Sequence, residues 1–288
     1  MQCGVGFMGV MTGAAKSRYD VMAGEASPLE VATAGADAQV LDLVAQALQG
    51  RRMRLAYQPA VYAANPAIPG FYEGLIRILD DRGRVIPARD FMGVAETREL
   101  GREIDCAALQ LGLMTLQRNP GVRIAVNMSA RSIGYRKWTA TLRAGLREYP
   151  GIGKGLILEI NEASAMLVPD VVIPFMKDLR ASGIFFCLDD FGAGFTSLAL
   201  LRDFSFDLAK IDGQFIRGVD KNPRQQAIVR AAVALAQDFN MFPVAESVET
   251  VAEATFLRDE GVGALQGYLF GAPTVTPDFT AFQKARTG

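Results

Sequence analysis

The chain has 288 residues, half of them apolar, enough for one large buried core or for one domain with a tail. Its net charge of −1 argues against a surface built to coat nucleic acid or to hold a membrane through basic residues. Histidine is absent, which removes Ser-His-Asp and Cys-His nucleophile systems, imidazole-held zinc and imidazole general bases. Cys3, Cys106 and Cys187 are scattered and odd in number, which suits a reducing compartment and a cytoplasmic location. No apolar run reaches the roughly 18 residues expected of a spanning helix. The Gly-rich start lacks the basic segment of a signal peptide.

Residues 1–38 are rich in Gly and Ala with weak periodicity, and are expected to form a tail or loosely attached segment; residues 39–288 form the folded part. From Ala38 to Leu48 the apolar residues recur at helical spacing, and Gly50 supplies a stop. Leu55–Val61 and Gly70–Ile78 read as two strands joined by a Pro/Asn loop, hence an antiparallel pair. Helices are expected around Pro87–Glu99 and Leu100–Gln117. A strand–helix rhythm then sets in, with strands at Val122–Asn127, Leu156–Ile160, Ile184–Asp189, Phe206–Ile211, Phe242–Glu246 and Ala264–Gln266. The clearest intervening helix starts at Asn222-Pro223, with Ile228, Ala231, Leu235 and Phe239 expected on its buried face. Others run from Val171 to Arg180 and from Val251 to Glu260. Eight strands, six of them alternating with helices, predict an α/β fold: a (β/α)8 TIM-like barrel with an antiparallel first strand. An open doubly wound sheet lacks support, because no Gly-rich phosphate fingerprint follows the first strand.

What closes each strand is informative. The run at 185 ends in Asp189-Asp190 and then Gly192 and Gly194. Neighbouring carboxylates at a buried strand end repel each other, so a divalent cation is the expected partner. The other strands end near Asn127, Glu159, Lys210, Glu246 and Gln266, each about one strand–helix unit from the last. Singly, these residues also suit turns, helix caps or solvated surface. At six strand ends in register they converge on the C-terminal mouth of a barrel, where such folds keep their active sites. Carboxylates, an amide and a lysine without histidine make an oxygen-rich cage suited to two Mg²⁺ or Mn²⁺ ions and to displacement at phosphorus.

Glu73-Gly74-Leu75-Ile76-Arg77, Asp189-Asp190-Phe191-Gly192-Ala193-Gly194, Lys210-Ile211-Asp212, Ala245-Glu246-Ser247-Val248-Glu249-Thr250 and Gln266-Gly267-Tyr268-Leu269-Phe270 resemble the EAL domain family. That family comprises cyclic di-GMP phosphodiesterases and their inactive relatives, and the resemblance runs from about residue 40 to about residue 280. It implies hydrolysis of cyclic di-GMP to linear 5′-pGpG with two divalent ions. By position, Glu73, Asn127, Glu159 and Asp189 match ligands of one ion, and Asp189, Asp190 and Glu246 match ligands of the other. Lys210 would contact the attacking water, while Gln58, Arg77 and Gln266 would hold the dinucleotide. Glu162 would anchor the loop after Asp190, and Glu249 would brace the site from behind the ligands. Glu162 also has a plainer role open to it, since an early carboxylate favours the start of the helix that follows.

Gly192 and Gly194 let the loop Phe191–Ser197 change shape at low steric cost, so it is expected to act as a gate that couples metal occupancy to subunit contact. The resemblance further implies a homodimer. A regulatory partner is compatible with it. Three positions depart from the family pattern: Gly74 for an alanine, Ser247 for a glycine and Ala272 for an arginine. None removes a ligand, so the chain is expected to be an enzyme. The alternative is a weak or inactive cyclic di-GMP receptor acting through a partner protein.

Overall fold

The computed structural model describes residues 28–194, 197–280 and 282. Of the expected tail, residues 1–27 lie outside the described residues, as does Cys3. The helix expected from Ala38 begins earlier, at Pro28, and runs to Gln49. Proline suits a first helical turn, where its missing N–H costs nothing. The helix buries Leu41, Val44 and Ala47 in a small cluster with Ile78, Phe91 and Ile104.

The strands are β1 (Met53–Tyr62), β2 (Asn65–Leu79), β3 (Val85–Ile86), β4 (Ile124–Asn127), β5 (Leu156–Asn161), β6 (Phe185–Phe191), β7 (Leu208–Ile211), β8 (Phe242–Ala245) and β9 (Ala264–Gln266). The ring closes in the order β1-β9-β8-β7-β6-β5-β4-β2, with β2 back on β1. β1 runs antiparallel to both neighbours, and every other pair in the ring is parallel. This is the expected barrel. The short β3, which hangs on β2 outside the ring, was not expected from the sequence.

The helix at Pro223–Asp238 starts as its sequence requires, with Asn222 Oδ1 accepting from the backbone of Arg224 and Gln225. Its buried face is one residue away from the expected one. Val229, Ala232, Val233 and Ala236 face the sheet, whereas Ile228 is 42% exposed and Ala231 faces solvent. One residue is a rotation of about 100°. The alanines let the helix lie close to the strands, where a face led by Ile228 would stand off. Among the described residues no helix is long and apolar enough to cross a membrane.

Side chains two apart on a strand share a face, and that rule builds the barrel's interior. Ala60, Phe71, Ala125, Ile157, Cys187, Leu208, Val244 and Ala264 form an apolar cluster of their own, one from each strand of the ring. Two residues from each, one pleat nearer the mouth, stand Gln58, Glu73, Asn127, Glu159, Asp189, Lys210, Glu246 and Gln266. The lumen is therefore an apolar plug beneath a polar layer.

The turn after Asn127 is held from outside the barrel by Asp105, on the helix Glu99–Arg118. Its Oδ2 accepts from Ser129 N at 2.9 Å and from Ser132 Oγ at 2.6 Å. Burial pushes the Asp105 carboxyl up to about 7, against the opposing pull of those two hydrogen bonds. The folded state thus holds this proton more tightly than the unfolded chain, so its stabilising contribution is full below about pH 4 and is lost as pH rises through about 7. Asp105→Asn keeps an acceptor for both donors and removes the titration. Chemical denaturation between about pH 5 and about pH 8 should show the variant gaining roughly 3 kcal/mol relative to the parent. Parallel pH profiles for the two proteins would contradict this account.

Candidate active site

Lys210 sits at the centre of the polar layer with 1% of its surface exposed. Its Nζ lies 2.5 Å from Glu246 Oε1, 3.1 Å from Asp189 Oδ1, and 3.3 Å from both Glu73 Oε2 and Glu159 Oε2. Those four carboxylates come from four strands of the ring or the residue just after one, separated by up to 173 positions in sequence (73 to 246). Closure of the barrel is what brings them together.

The charges do not balance, and the ionisation of the site follows from that. Burial works against the Lys210 ammonium, but the four carboxylates outweigh it and hold the group well above the usual lysine range. Burial, with the mutual repulsion of the other acids, pushes Glu159 well above the usual carboxylate range and Glu246 up to about 8. Glu73 goes the other way. Burial is again the largest influence on it, yet Lys210 and hydrogen bonds from Asn127 and Gln266 together outweigh burial and lower it. Asn127 Nδ2 donates to Glu73 Oε1 at 2.8 Å, and Gln266 Nε2 donates to Glu73 Oε2 at 2.7 Å. One lysine therefore leaves an excess of acid at the layer.

A strand normally sends consecutive side chains to opposite faces, so Asp189 and Asp190 could not both face one ion on a regular β6. The β6–β7 register breaks between Leu188 and Phe191, and Asp190 has φ +55°. A bulge of this kind re-aims a side chain, and a left-handed non-glycine residue is held there by its surroundings. Asn161, one pleat above Glu159 on β5, donates from Nδ2 to Asp190 Oδ2. As a result Asp189, Asp190 and Glu246 bring carboxylate oxygens within 4.8 Å of one another.

These residues fit a hard divalent cation. The donors are oxygen throughout. Glu159 Oε1 is buried with no hydrogen-bond partner, and Asp189 Oδ1 has only the ion pair to Lys210, without hydrogen-bond geometry. Buried carboxylate oxygens left in this state are costly in a protein interior unless a cation takes them. In the ring Glu73, Asn127, Glu159 and Asp189 stand on the consecutive strands β2, β4, β5 and β6, and Glu246 follows β8.

Above the layer opens a cavity of about 400 Å³, with Gln58, Arg77, Glu249 and Gln266 on its walls. Gln266 Nε2 lies 3.3 Å from Gln58 Oε1, and Gln58 Nε2 donates to Gly271 O at 3.1 Å. Glu249 is half exposed, with Oε1 3.7 Å from Arg217 Nε. Glu162 is 1% exposed, opens the helix Glu162–Leu167, and accepts from Gly192 N at 3.0 Å, so it meets the loop after Asp190 directly. Phe195 and Thr196 of that loop lie outside the described residues. Two residues at the site were not singled out by sequence, Asn161 and Arg217, and Ser247 was singled out only as a departure from the family pattern. For Asn161 the signal was available, since it lies two residues beyond Glu159 on the same face.

A family model for the EAL domain matches residues 42–273. The chain is 31% identical over 252 residues to the cyclic di-GMP phosphodiesterase NbdA of Pseudomonas aeruginosa, covering 86% of this chain and 32% of that protein. It is 35% identical over 240 residues to the bifunctional diguanylate cyclase/cyclic di-GMP phosphodiesterase MucR of the same organism, covering 82% and 35%. This chain spans about a third of the length of those relatives. Among solved structures, the MucR phosphodiesterase in complex with c-di-GMP superposes with a TM-score of 0.72 at 32% identity, over 82% of this chain and 97% of that one. The chain belongs to the EAL domain family.

Proposed function

We propose that the protein is a metal-dependent phosphodiesterase that hydrolyses cyclic di-GMP to linear 5′-pGpG. The observation that carries this reading is the oxygen-only layer around Lys210, with buried carboxylate oxygens lacking partners at a mouth of dinucleotide scale. The relatives named for this activity support it. Glu73, Asn127, Glu159 and Asp189 would hold one Mg²⁺ or Mn²⁺, and Asp189, Asp190 and Glu246 the other. Such ions supply charge for the phosphate and acidify water.

The chain's own groups do the rest. Arg77 binds a phosphate, and Gln58 and Gln266 fix the dinucleotide over the layer. Lys210, kept protonated, donates a hydrogen bond to the oxygen of the attacking water and aims it. Glu246, whose Oε1 is 2.5 Å from Lys210 Nζ, would take up a proton of that water. The water oxygen gives up a proton and bonds to phosphorus, the bond from phosphorus to a ribose 3′ oxygen breaks, and that oxygen takes up a proton and leaves as a hydroxyl. Glu162 holds the loop after Asp190 through Gly192 N, and so holds Asp190 itself. Glu249 braces the site from behind the ligands. A homodimer and a cytoplasmic location complete the reading.

Incubation of the purified protein with cyclic di-GMP and Mg²⁺ or Mn²⁺ should yield pGpG, and excess chelator should abolish the product. Ca²⁺ should bind with little turnover, because its longer and looser coordination disturbs a two-ion geometry. Binding without product under any metal would replace the enzyme with a receptor.

Asp189→Asn should lose metal affinity and turnover together. Lys210→Ala should lower turnover on the order of 100-fold while metal binds as well as before or more tightly, since the lysine competes for the same carboxylates. Calorimetry showing Lys210→Ala losing metal as badly as Asp189→Asn would overturn these roles.

Glu162→Gln separates its two roles. As a helix-terminal charge alone it is worth about 0.3–1 kcal/mol of stability and nothing to turnover. As the anchor of the loop, the change should cut turnover severely with little shift in melting temperature. Normal turnover in the variant would leave only the helix role.

A further inference from the structure

The wall of the cavity holds an arrangement that the roles assigned above do not use. Ser247, directly after Glu246, has φ +54°, a left-handed backbone that side chains rarely adopt. Its side chain is tucked against Gly213. A Cβ at Gly213 would stand 2.3 Å from Ser247 Oγ and 2.7 Å from Ser247 Cβ, so glycine at 213 is what makes room for serine at 247. Four residues after Gly213, Arg217 donates from Nη2 to Ser247 Oγ at 3.1 Å.

The backbone beneath this pair is fixed. Glu253, a buried carboxylate, accepts from Gly218 N at 2.6 Å through Oε1 and from Glu249 N and Thr250 N, both at 2.9 Å, through Oε2. The turn carrying Arg217 and the turn carrying Glu249 are therefore tied to one carboxylate. Glu249 Oε1, at 3.7 Å, is beyond hydrogen-bond reach of Arg217 Nε. Among the described residues, Ser247 Oγ is the one hydrogen-bond acceptor that the guanidinium uses. The Arg217 side chain remains 61% exposed on the wall of the cavity.

A cyclic dinucleotide carries two phosphodiesters, and only one can lie over the acid layer. The other needs its own cation. Lys210 is enclosed by four carboxylates within the acid layer, where it is assigned to the attacking water, so it does not serve a second phosphate. The remaining cations on the cavity wall are Arg77 and Arg217. A guanidinium offers five donors in a planar fork that matches two phosphate oxygens.

We propose that Arg217 binds the non-scissile phosphodiester of the substrate and that Ser247, given room by Gly213, is the positioning residue that presents it. The inference rests on the cyclic di-GMP reading above. It also gives a purpose to a serine standing where a glycine would be free of backbone strain.

The test is to measure the Kd of cyclic di-GMP in Ca²⁺, and kcat and KM in Mg²⁺, for the parent, Arg217→Ala, Ser247→Ala, Ser247→Gly and the double variant Arg217→Ala/Ser247→Gly. Arg217→Ala should raise Kd and KM about tenfold or more, with a much smaller change in kcat. Its Kd should also rise less steeply with salt than the parent's. Ser247→Ala and Ser247→Gly should each weaken binding several-fold, although Ser247→Gly relieves the backbone and should not lower the melting temperature. The double variant should bind no worse than Arg217→Ala alone, because both changes remove one interaction.

Parent-like Kd and KM in Arg217→Ala would overturn the proposal, as would fully additive losses in the double variant. If the parent itself fails to bind cyclic di-GMP, the functional reading falls and this inference with it. If the parent binds and all variants bind alike, only this inference falls.

Discussion

One ammonium group against four buried carboxylates is the constraint on which the rest of the structure depends. Removing a single charge from water costs several kcal/mol even after the protein relaxes, and an unpaired one would disrupt the fold. Lys210 is tolerated at the centre of the barrel because Glu73, Glu159, Asp189 and Glu246 surround it. The converse fails, since one lysine cannot offset four acids and Asp190 besides. The upward push on Glu159 and Glu246 expresses that deficit as retained protons. Cations placed there would take over the protons' part. Stability of the layer and its capacity for metal are the same electrostatic fact.

The pleat makes such a layer possible without weakening the barrel. Each strand of the ring gives an apolar residue to the plug and, one pleat higher, a polar residue to the layer. The plug keeps water from reaching the acids from below, which raises the strength of every interaction in the layer. Cys187, on this floor, is fully buried. Burial, with the nearby acids Glu159, Asp189 and Glu246, drives its thiol well above the usual range, so it behaves as a small apolar filler.

Much of this was legible from residue order alone, because period and strand ends are local signals. Eight strands, the antiparallel hairpin and the polar residues closing each strand follow from alternation and from what interrupts it. Three features were not legible, each for a definite reason. The face of the helix Pro223–Asp238 depends on how closely small side chains let it approach the sheet, so periodicity placed Ile228 inward where Val229 belongs. The bulge that turns Asp190 beside Asp189 is a relation between β6 and β7, and neither strand contains it alone. The contact of Arg217 with Ser247 joins two loops thirty residues apart through space that only Gly213 leaves open.

Positions 74, 247 and 272, read in the sequence as departures from the family pattern, lie outside the set of residues that form the polar layer. A Cβ at Gly74 would meet Leu55 Cδ1 at 3.1 Å and Ala125 O at 3.3 Å, so here Leu55 occupies the space that an alanine at 74 would need. At Ser247 the side chain fits because Gly213 has none, since a Cβ there would stand 2.3 Å from Ser247 Oγ. Ala272 is exposed, and the backbone beside it still serves the site, since Gly271 O accepts from Gln58. A substitution judged alone at any of these positions would read as a defect. At positions 74 and 247 the facing residue accommodates the side chain present, and the carboxylates around Lys210 are untouched. It is the charges, through Lys210 and its carboxylates, that the barrel must hold in place.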